Sequence, residues 1–231
     1  MHNYGKNPEK EFIRVENLHF KYRKKNVIED ITLGLKKEEF VSLIGPNGSG
    51  KTTLGKLITG ILEFNKGKIF VDDRNIKELT LAYIGKKIGY LFQNPSMQIF
   101  AANVYDELQF AMRFNKVDKD TIQRKTEKIL KEFDLEHLKE SKCHTLSQGE
   151  RQRLALGTIF LNDPKYLILD EPTTGLDKKR KEQLSQTLQD INAKGIGVLM
   201  ISHDIDFVDK HSKRIIELRD GRIFKDERCG S

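Results

Sequence analysis

A glycine-rich segment at residues 45–52, GPNGSGKT, limits what this 231-residue chain can fold into more than any other feature. It matches the pattern G-x-x-x-x-G-K-[ST] and follows the apolar run Phe40–Ile44, which is typical of a buried β-strand. The residues from Lys51 to Gly60 have the pattern of a helix that ends at a glycine. A strand, a glycine-rich turn and a helix in this order predict a loop whose backbone N–H groups surround phosphate oxygens at the positive end of the helix.

Four residues at this loop and at a second apolar run have distinct expected roles. Lys51 should reach the β- and γ-phosphates of a nucleotide, and Thr52 should ligate Mg²⁺. The apolar run at residues 166–169 ends in the adjacent acids Asp170 and Glu171. Because neighbouring strand residues point to opposite sides, Asp170 can face the metal while Glu171 faces a water that attacks the γ-phosphate.

Two further segments could bind phosphate. His203 follows the apolar run Gly197–Ile201 and could donate a hydrogen bond to a phosphate oxygen at the edge of the sheet. Residues 146–153, LSQGERQR, could begin a helix whose terminus, with Ser147 and the Gly149 amide, binds a second phosphate group. For both segments, helix capping is the structural alternative.

The order of the apolar runs predicts an α/β protein with a largely parallel sheet, because short β-branched runs alternate with longer amphipathic stretches. Residues 12–22 alternate apolar and polar side chains, with Leu18, Phe20 and Tyr22 on one face, and are predicted to form an edge strand. Further elements are expected as strands at 68–71, 89–92, 166–170 and 197–201, a helix from Asp177 with Leu184, Leu188 and Ile191 on one face, and a hairpin at 214–224.

Residues 104–161 have a helical pattern instead, with Asp118 as a candidate N-cap. The sequence contains no internal repeat and no Pro/Ser-rich linker. We therefore expect one domain, 1–231, in which residues 1–93 and 164–231 form the core and residues 94–163 form a helical insert.

Composition narrows the class of protein. Lys and Arg number 41 and Asp and Glu 34, so the net charge is +7, which suits an acidic partner but does not distinguish nucleic acid, anionic lipid and phosphate ligands. No apolar run approaches the about 20 residues that span a membrane, and residues 1–11 lack the apolar stretch of a signal peptide, so we expect a cytoplasmic protein. Cys143 and Cys229 lie far apart, which argues against a disulfide framework or a zinc site.

Taken together, the motifs resemble those of the ATP-binding cassette (ABC) ATPases in kind and in order. The matching segments are the phosphate loop at 45–53, the Q-loop residue Gln93, the signature at 146–151, the Walker B acids Asp170 and Glu171, the D-loop at 175–177 and the switch residue His203. The resemblance implies the P-loop NTPase fold of an ABC nucleotide-binding domain: a mostly parallel sheet, N-terminal antiparallel β-strands, and a helical insert that carries the signature.

The resemblance also implies hydrolysis of ATP, with Mg²⁺, in a head-to-tail dimer with a second ABC ATPase subunit, which is either the same chain or a paralogue. Its expected catalytic residues are Glu171, His203, Lys51 and Gln93, and its expected metal ligands are Thr52, Gln93 and Asp170. The expected nucleotide-binding residues are Tyr22, which matches the aromatic that stacks on adenine, then Gly45, Asn47, Gly48, Ser49, Gly50, Lys51, Thr52 and Thr53, and Ser147, Gln148 and Gly149 of the partner. Gln148 stands where the usual signature has glycine.

Residues 91–100, LFQNPSMQIF, and 104–108, VYDEL, are similar to the Q-loop region of energy-coupling factor (ECF) and cobalt-type transporter ATPases, which take up vitamins and transition-metal ions. Exposed Met97, Ile99 and Phe100 would be costly unless a membrane subunit covers them. We therefore expect a peripheral ATPase at the cytoplasmic face of the cell membrane that contacts integral membrane subunits through the Q-loop region.

Two alternatives remain beside the ECF-type importer. One is the ATPase subunit of another type of ABC transporter. The other is a nucleic-acid-associated ABC ATPase, suggested by the net charge and by the basic run at residues 178–181. No nucleic acid partner is expected, because such a run on a helix is usually a solvated face and the insert has no sustained heptads for a long coiled coil.

Overall fold

The computed structural model describes residues 11–229, which contain two β-sheets and a set of helices. The strands are β1 Glu11–Tyr22, β2 Lys25–Lys36, β3 Phe40–Ile44, β4 Lys66–Val71, β5 Arg74–Asn75, β6 Ile88–Leu91, β7 Tyr166–Asp170, β8 Gly197–Ile201, β9 Arg214–Arg219 and β10 Arg222–Arg228. The helices are α1 Lys51–Ile58, α2 Leu81–Lys87, α3 Val104–Phe114, α4 Lys119–Glu132, α5 Gln148–Phe160, α6 Lys178–Ala193 and α7 Ile205–His211. Residues 1–10, on which the signal-peptide argument mainly depends, and residues 230–231 lie outside the described part of the chain.

The larger sheet has six strands in the order β10-β9-β3-β8-β7-β6, and all of its pairs are parallel except β9 with β10. Every residue of β7 and β8 is buried, which explains why these strands are continuous apolar runs. The mostly parallel sheet predicted from the sequence is confirmed. Because parallel strands end at one edge, the loops that follow β3, β6, β7 and β8 meet there.

The smaller sheet is antiparallel, with the strand order β2-β1-β4-β5. The prediction that residues 12–22 form an edge strand is wrong, since β1 pairs with β2 on one side and with β4 on the other. Alternation reports that one face of a strand is buried and not whether its edges are bonded. Ile13, Val15, Leu18 and Phe20 are buried on that face, whereas Tyr22 at the end of β1 is exposed.

Strand β2 was not predicted from the sequence, although Ile31, Leu33 and Leu35 alternate with polar or small residues in it. The left-handed backbone of Asp30, with φ 56°, and the irregular register with β1 interrupt the alternation earlier in the strand. The C-terminal hairpin of β9 and β10 forms as predicted.

The helical insert consists of α3, α4, α5 and short 3-10 turns. The Asp118 side chain accepts a hydrogen bond from the Thr121 amide and caps α4, as predicted. Apolar residues of the insert, such as Leu108 and Ile129, belong to the same buried cluster as Leu169 of β7. That cluster also contains Leu184, Leu188 and Ile191, which form the predicted buried face of α6. The insert therefore shares one buried cluster with β7 and α6 of the core.

Candidate active site

The loop at residues 45–50 connects β3 to α1 at the carboxyl edge of the larger sheet. Gly45 has φ 139°, and a Cβ atom there would lie 2.1 Å from the Leu218 carbonyl oxygen, so only glycine fits. Gly50 is the N-cap residue of helix α1 and provides no side-chain cap, and the first turn of the helix contains no acid. The Ser49 hydroxyl is buried and has no hydrogen-bond partner among the described residues. Free amides and an orphaned hydroxyl at a helix N-terminus fit the expected phosphate site.

Lys51 is the first residue of α1, and its side chain folds back over this loop. Its Nζ atom donates to Gly45 O at 2.7 Å and to Pro46 O at 3.0 Å. Burial lowers the pKa of Lys51, while the carboxylates of Glu171 and Asp170 act in the opposite direction. The Lys51 ammonium group therefore lies near Asp170 and Glu171, the two acids at the end of β7.

Asp170 is the last residue of β7 and is only 2% exposed. Thr52 Oγ1 donates to its Oδ1 at 2.9 Å, and Tyr90 Oη donates to its Oδ2 at 3.0 Å. Burial raises the pKa of Asp170, and the two hydroxyl donors counteract that increase. The phenol of Tyr90, on β6, is a partner that the sequence analysis missed.

The same pair of residues provides a test of whether Mg²⁺ fits the site. A hydroxyl oxygen and a carboxylate oxygen, held 2.9 Å apart on two elements, are of the hard oxygen type that Mg²⁺ prefers. Among the described residues no group of three His, Cys, Asp or Glu side chains could hold a metal ion, so a metal here would depend on the nucleotide phosphates for other ligands. The residues fit a nucleotide-bound magnesium ion.

Glu171 and His203 form a close pair beside this site. Glu171 has a left-handed backbone, with φ 52°, and its amide donates to Ile201 O at 2.9 Å, which links the end of β7 to the end of β8. Oε2 of Glu171 lies 2.7 Å from Nδ1 of His203, at ion-pair distance but outside hydrogen-bond alignment. The side chain of Glu171 is 11% exposed and that of His203 is 68% exposed. One end of the pair is thus shielded while the other faces the open edge.

The Q-loop residue Gln93 follows β6 at the same edge, and its side chain is exposed. The loop after it is held by two contacts that the sequence analysis missed. Gln98 Oε1 accepts from the Phe92 amide at 3.0 Å. Oε2 of Glu107, a residue that is 5% exposed, accepts from the amides of Phe100 at 2.8 Å and Ala101 at 2.6 Å. The sequence shows a glutamate in the first turn of the predicted helix, but it does not show that this side chain is buried or that it turns back to the loop.

The signature segment begins α5. Ser147 caps the helix by accepting from the Glu150 amide, and the Glu150 carboxylate accepts in return from the Ser147 amide at 2.7 Å. This bond is the main reason that the pKa of Glu150 is lowered. Ser147 therefore has the helix-capping role that was the alternative to phosphate binding. No hydrogen bond or ion pair in residues 11–229 joins Ser147 to the P-loop of its own chain.

The structure thus gathers some of the expected site residues and leaves others apart. Lys51, Thr52, Asp170, Glu171 and His203 lie together at the carboxyl edge. Tyr22 is 47% exposed, and its ring meets that of Phe20 edge-on at 4.7 Å, so it remains available for the adenine contact predicted from the sequence. The remaining expected residues, Asn47, Gly48, Thr53, Gln148 and Gly149, keep their nucleotide-binding roles as predictions.

A P-loop, a buried acid at the end of an apolar strand and an acid–histidine pair on one edge of a mostly parallel sheet define an α/β P-loop nucleotide hydrolase. Residues 28–174 match the family model described as ABC transporter. The chain belongs to this family, and it has the fold of an ABC-type ATPase. The fold class and enzyme class predicted from the sequence are confirmed. In residues 11–229 no helix has both the length and the apolar character to cross a bilayer.

Curated relatives match most of the chain. The putative ABC transporter ATP-binding protein TTE1589 of Caldanaerobacter subterraneus subsp. tengcongensis is 37% identical over 196 residues, which are 85% of this chain and 34% of the relative. The putative HMP/thiamine import ATP-binding protein YkoD of Bacillus subtilis is 33% identical over 208 residues, 90% of this chain and 37% of the relative. The chain spans about a third of the length of these two relatives.

Solved structures of similar size share the fold. The cbiO1 protein of Clostridium perfringens, described as part of the ABC transporter complex cbiONQ, has a TM-score of 0.86 and 31% identity, over 94% of this chain and 88% of that one. The ATP-binding cassette MJ0796, solved as a dimer in a post-hydrolysis state with ADP and Pi, has a TM-score of 0.84 and 27% identity, over 95% of this chain and 99% of that one.

Proposed function

We propose that this chain is the ATP-hydrolysing subunit of a membrane ABC transporter and that it acts in a head-to-tail dimer with a second ABC ATPase subunit, either the same chain or a paralogue. The observation that carries the proposal is the pairing of Glu171 with His203 beside Lys51 and the Thr52–Asp170 pair. At one edge of the sheet, this arrangement supplies a lysine that can bind phosphate, a glutamate that can act as a general base and a histidine that can donate a hydrogen bond to a phosphate oxygen. The dimeric MJ0796 cassette supports the assembly.

In this proposal the side chains divide the work of phosphoryl transfer. Phosphate oxygens replace Gly45 O and Pro46 O as partners of the Lys51 ammonium group, which stabilises charge on the γ-phosphoryl. Glu171 orients the attacking water and accepts its proton, and His203, 2.7 Å away, holds the carboxylate and reaches toward the γ-phosphate. Thr52, Asp170 and Gln93 would hold Mg²⁺, which would supply Lewis-acid polarisation of the phosphates.

The second phosphate contact comes from the other protomer. Ser147, Gln148 and Gly149 begin a helix of 13 residues, and its N-terminus is the kind of site that binds an anion. In the described structure this helix start bonds to the segment after β7 and not to its own P-loop. A head-to-tail dimer places the helix start of one protomer over the nucleotide of the other, so that each ATP is enclosed by two chains.

The membrane partner is proposed to dock on the Q-loop region. Met97 is 67% exposed and Phe100 is 74% exposed, although both lie within the loop after β6, which is held by hydrogen bonds to Gln98 and Glu107. Phe110 and Phe114, one turn apart on α3, are also exposed. Large apolar side chains on a fixed surface indicate a covering partner. Coupling helices of an integral membrane subunit would cover them and hold the ATPase at the cytoplasmic face of the membrane.

The transported substrate is proposed to be a vitamin, a vitamin precursor or a transition-metal ion, taken up by an ECF-type importer. The support is the likeness of the Q-loop region to that subfamily, together with similarity to cbiO1 of the cbiONQ complex and to YkoD, named for HMP/thiamine import. Co-purification from native membranes tests this assignment: a vitamin or metal importer's membrane subunit supports it, whereas a membrane subunit of another transporter class contradicts it.

Glu171→Gln tests the mechanism. The variant should bind ATP like the wild type, lose steady-state hydrolysis by about 10²- to 10⁴-fold, the usual contribution of a general base, and accumulate as an ATP-bound dimer in size-exclusion chromatography with light scattering. Glu63→Gln, at an exposed glutamate away from the site, is the matched control and should hydrolyse ATP normally. Near-normal turnover of Glu171→Gln would remove the general-base assignment.

A further inference from the structure

The amide of Gln148 is hydrogen-bonded within its own chain. Its Nε2 atom donates to the carbonyl oxygen of Thr174 at 2.7 Å. Its amide group also packs on Gly175, where a Cβ atom would lie 2.6 Å from Oε1 and 2.7 Å from Nε2. Gly175 has φ 73°, a backbone conformation that favours glycine, and a side chain at this position would displace the Gln148 amide. Gln148, a signature residue that was expected to face the nucleotide, is instead hydrogen-bonded to the residue just before the D-loop.

A second glutamine makes the same type of bond one helical turn further along α5. Gln152, which is 6% exposed, donates from Nε2 to the Pro172 carbonyl oxygen at 2.5 Å. Residues four apart lie on the same face of a helix, so α5 presents two amides to one segment of backbone. The contact between α5 and residues 172–175 is therefore a continuous seam and not a single chance bond.

The segment held by this seam starts at the catalytic glutamate. The Thr174 amide donates to Glu171 O at 3.2 Å, and the Leu176 amide donates to Thr173 O at 3.2 Å. These turns satisfy the carbonyl oxygens of Glu171 and Thr173 but leave that of Thr174 for Gln148. Two hydrogen bonds thus join Glu171 to the start of α5 beside Ser147: the Thr174 amide donates to Glu171 O, and the Gln148 side-chain amide donates to Thr174 O.

We propose that Gln148 is a positioning residue that fixes the Ser147 helix start to the backbone turn beginning at Glu171, so that the two move together. In the dimer of the proposed function, on which this inference rests, Glu171 serves the nucleotide of its own chain and Ser147 serves that of the partner. Gln148 therefore couples the geometry of the two nucleotide sites. A glycine at this position would have no side chain to make the bond.

The test compares Gln148→Ala with Gln186→Ala in the purified full chain. Gln186 is an exposed helical glutamine on α6 whose Nε2 also donates one hydrogen bond, to Asp190 at 2.9 Å, and it lies outside the site. A positioning role predicts that Gln148→Ala lowers kcat about tenfold, the effect of one lost hydrogen bond, with KM for ATP changed less than about twofold. Gln186→Ala should leave both constants unchanged. Gln148→Asn, whose amide is too short to reach Thr174, should behave like Gln148→Ala.

Hydrogen exchange supplies a readout that does not depend on turnover or on dimer formation. In nucleotide-free protein, Gln148→Ala should speed exchange of the Thr174 and Leu176 amides about tenfold, because the carbonyl anchor of their turn is lost. If Gln148 acts only as a nucleotide contact, KM rises instead and exchange in the nucleotide-free protein stays at the wild-type rate. That result, or unchanged kcat, overturns the proposal.

Failure of the proposed function would be recognised separately. If the wild-type rate per subunit does not depend on protein concentration and no nucleotide-bound dimer forms with this chain or a paralogue, the dimer is wrong whatever Gln148 does. If the wild type behaves as a dimer and the exchange of residues 174–177 is insensitive to Gln148, only the positioning role is wrong.

Discussion

Two buried tyrosines on neighbouring strands differ in whether the hydroxyl group has a hydrogen-bond partner. Substitution by phenylalanine should therefore change the stability of the protein differently at the two positions. Tyr90 Oη on β6 donates to Asp170 Oδ2 at 3.0 Å. Tyr166 Oη on β7 is buried and has no hydrogen-bond partner among residues 11–229. Tyr→Phe removes one hydroxyl from each site and leaves the ring in place. The comparison therefore isolates the Tyr90–Asp170 bond from the general cost of altering a buried ring.

The expected size follows from the charge on Asp170. A hydrogen bond to an ionised group contributes about 1.5–3 kcal/mol, so Tyr90→Phe should lower the unfolding midpoint by about 3–12 °C at pH 8, at about 2–4 °C per kcal/mol for a chain of this size. Tyr166→Phe removes a buried hydroxyl whose desolvation is not compensated, and it should leave stability unchanged or raise it by about 1 kcal/mol.

The pH dependence has a definite sign. Burial raises the folded-state pKa of Asp170 above its ordinary value of 3.8. The free energy of unfolding therefore falls as the pH rises from 3.8 to the folded-state pKa, and it stays lower above that pKa. Tyr90 reduces the cost by donating to the ionised form. The loss in Tyr90→Phe should therefore be largest at pH 8 and shrink to about 1 kcal/mol, that of a neutral hydrogen bond, once Asp170 is protonated.

Thermal and urea unfolding of the two variants, each followed from pH 4 to pH 8, measure these quantities. Equal losses in Tyr90→Phe and Tyr166→Phe would refute the reasoning, because they would show that the bond to Asp170 contributes nothing specific. A loss in Tyr90→Phe that does not depend on pH would show that the phenol does not stabilise the ionised carboxylate.

Three further predictions follow from other contacts. Glu107→Ala leaves the amides of Phe100 and Ala101 without their acceptor and should cost about 2–4 kcal/mol in urea unfolding, while Glu107→Gln keeps an acceptor and should cost less. Because the folded-state pKa of Glu150 is lowered, its contribution to stability is present above its ordinary pKa of 4.5, so the deficit of Glu150→Gln should vanish as the pH falls through the folded-state pKa. Phe100→Ser should weaken co-purification of the membrane subunit without lowering basal ATPase, whereas Phe224→Ser, at an exposed phenylalanine on β10, should not; equal recovery of the subunit with both variants would contradict the docking surface.

The sequence predicted what local pattern and motif spacing determine. The strand–loop–helix unit around Lys51, the cap at Asp118 and the buried face of α6 depend on residues close together in the chain, and each formed as expected. The carboxyl-edge cluster of Thr52, Asp170 and His203 followed from the rule that parallel strands end at one edge.

Long-range pairing explains what the sequence did not predict. Whether β1 lies inside its sheet depends on β2 and β4, which alternation within β1 cannot report. Tyr90 and Asp170 are 80 residues apart, and nothing in residues 88–91 marks the phenol as a partner of the acid. Gln148 was assigned to the nucleotide because its position matches the signature, whereas the bond to Thr174 arises only from the packing of α5 on the loop after β7.

Complementation between two inactive variants tests the composite site most directly. Lys51→Ala removes the P-loop ammonium group, and Ser147→Arg blocks the helix start. In the homodimer form of the proposal, a mixed dimer has one site with both defects and one with neither, so an equal mixture should recover about a quarter of the wild-type ATPase rate, since half of the dimers are mixed and half of their sites are intact. If each site were built within one chain, every protomer would keep one defect, and the mixture would remain as inactive as its components.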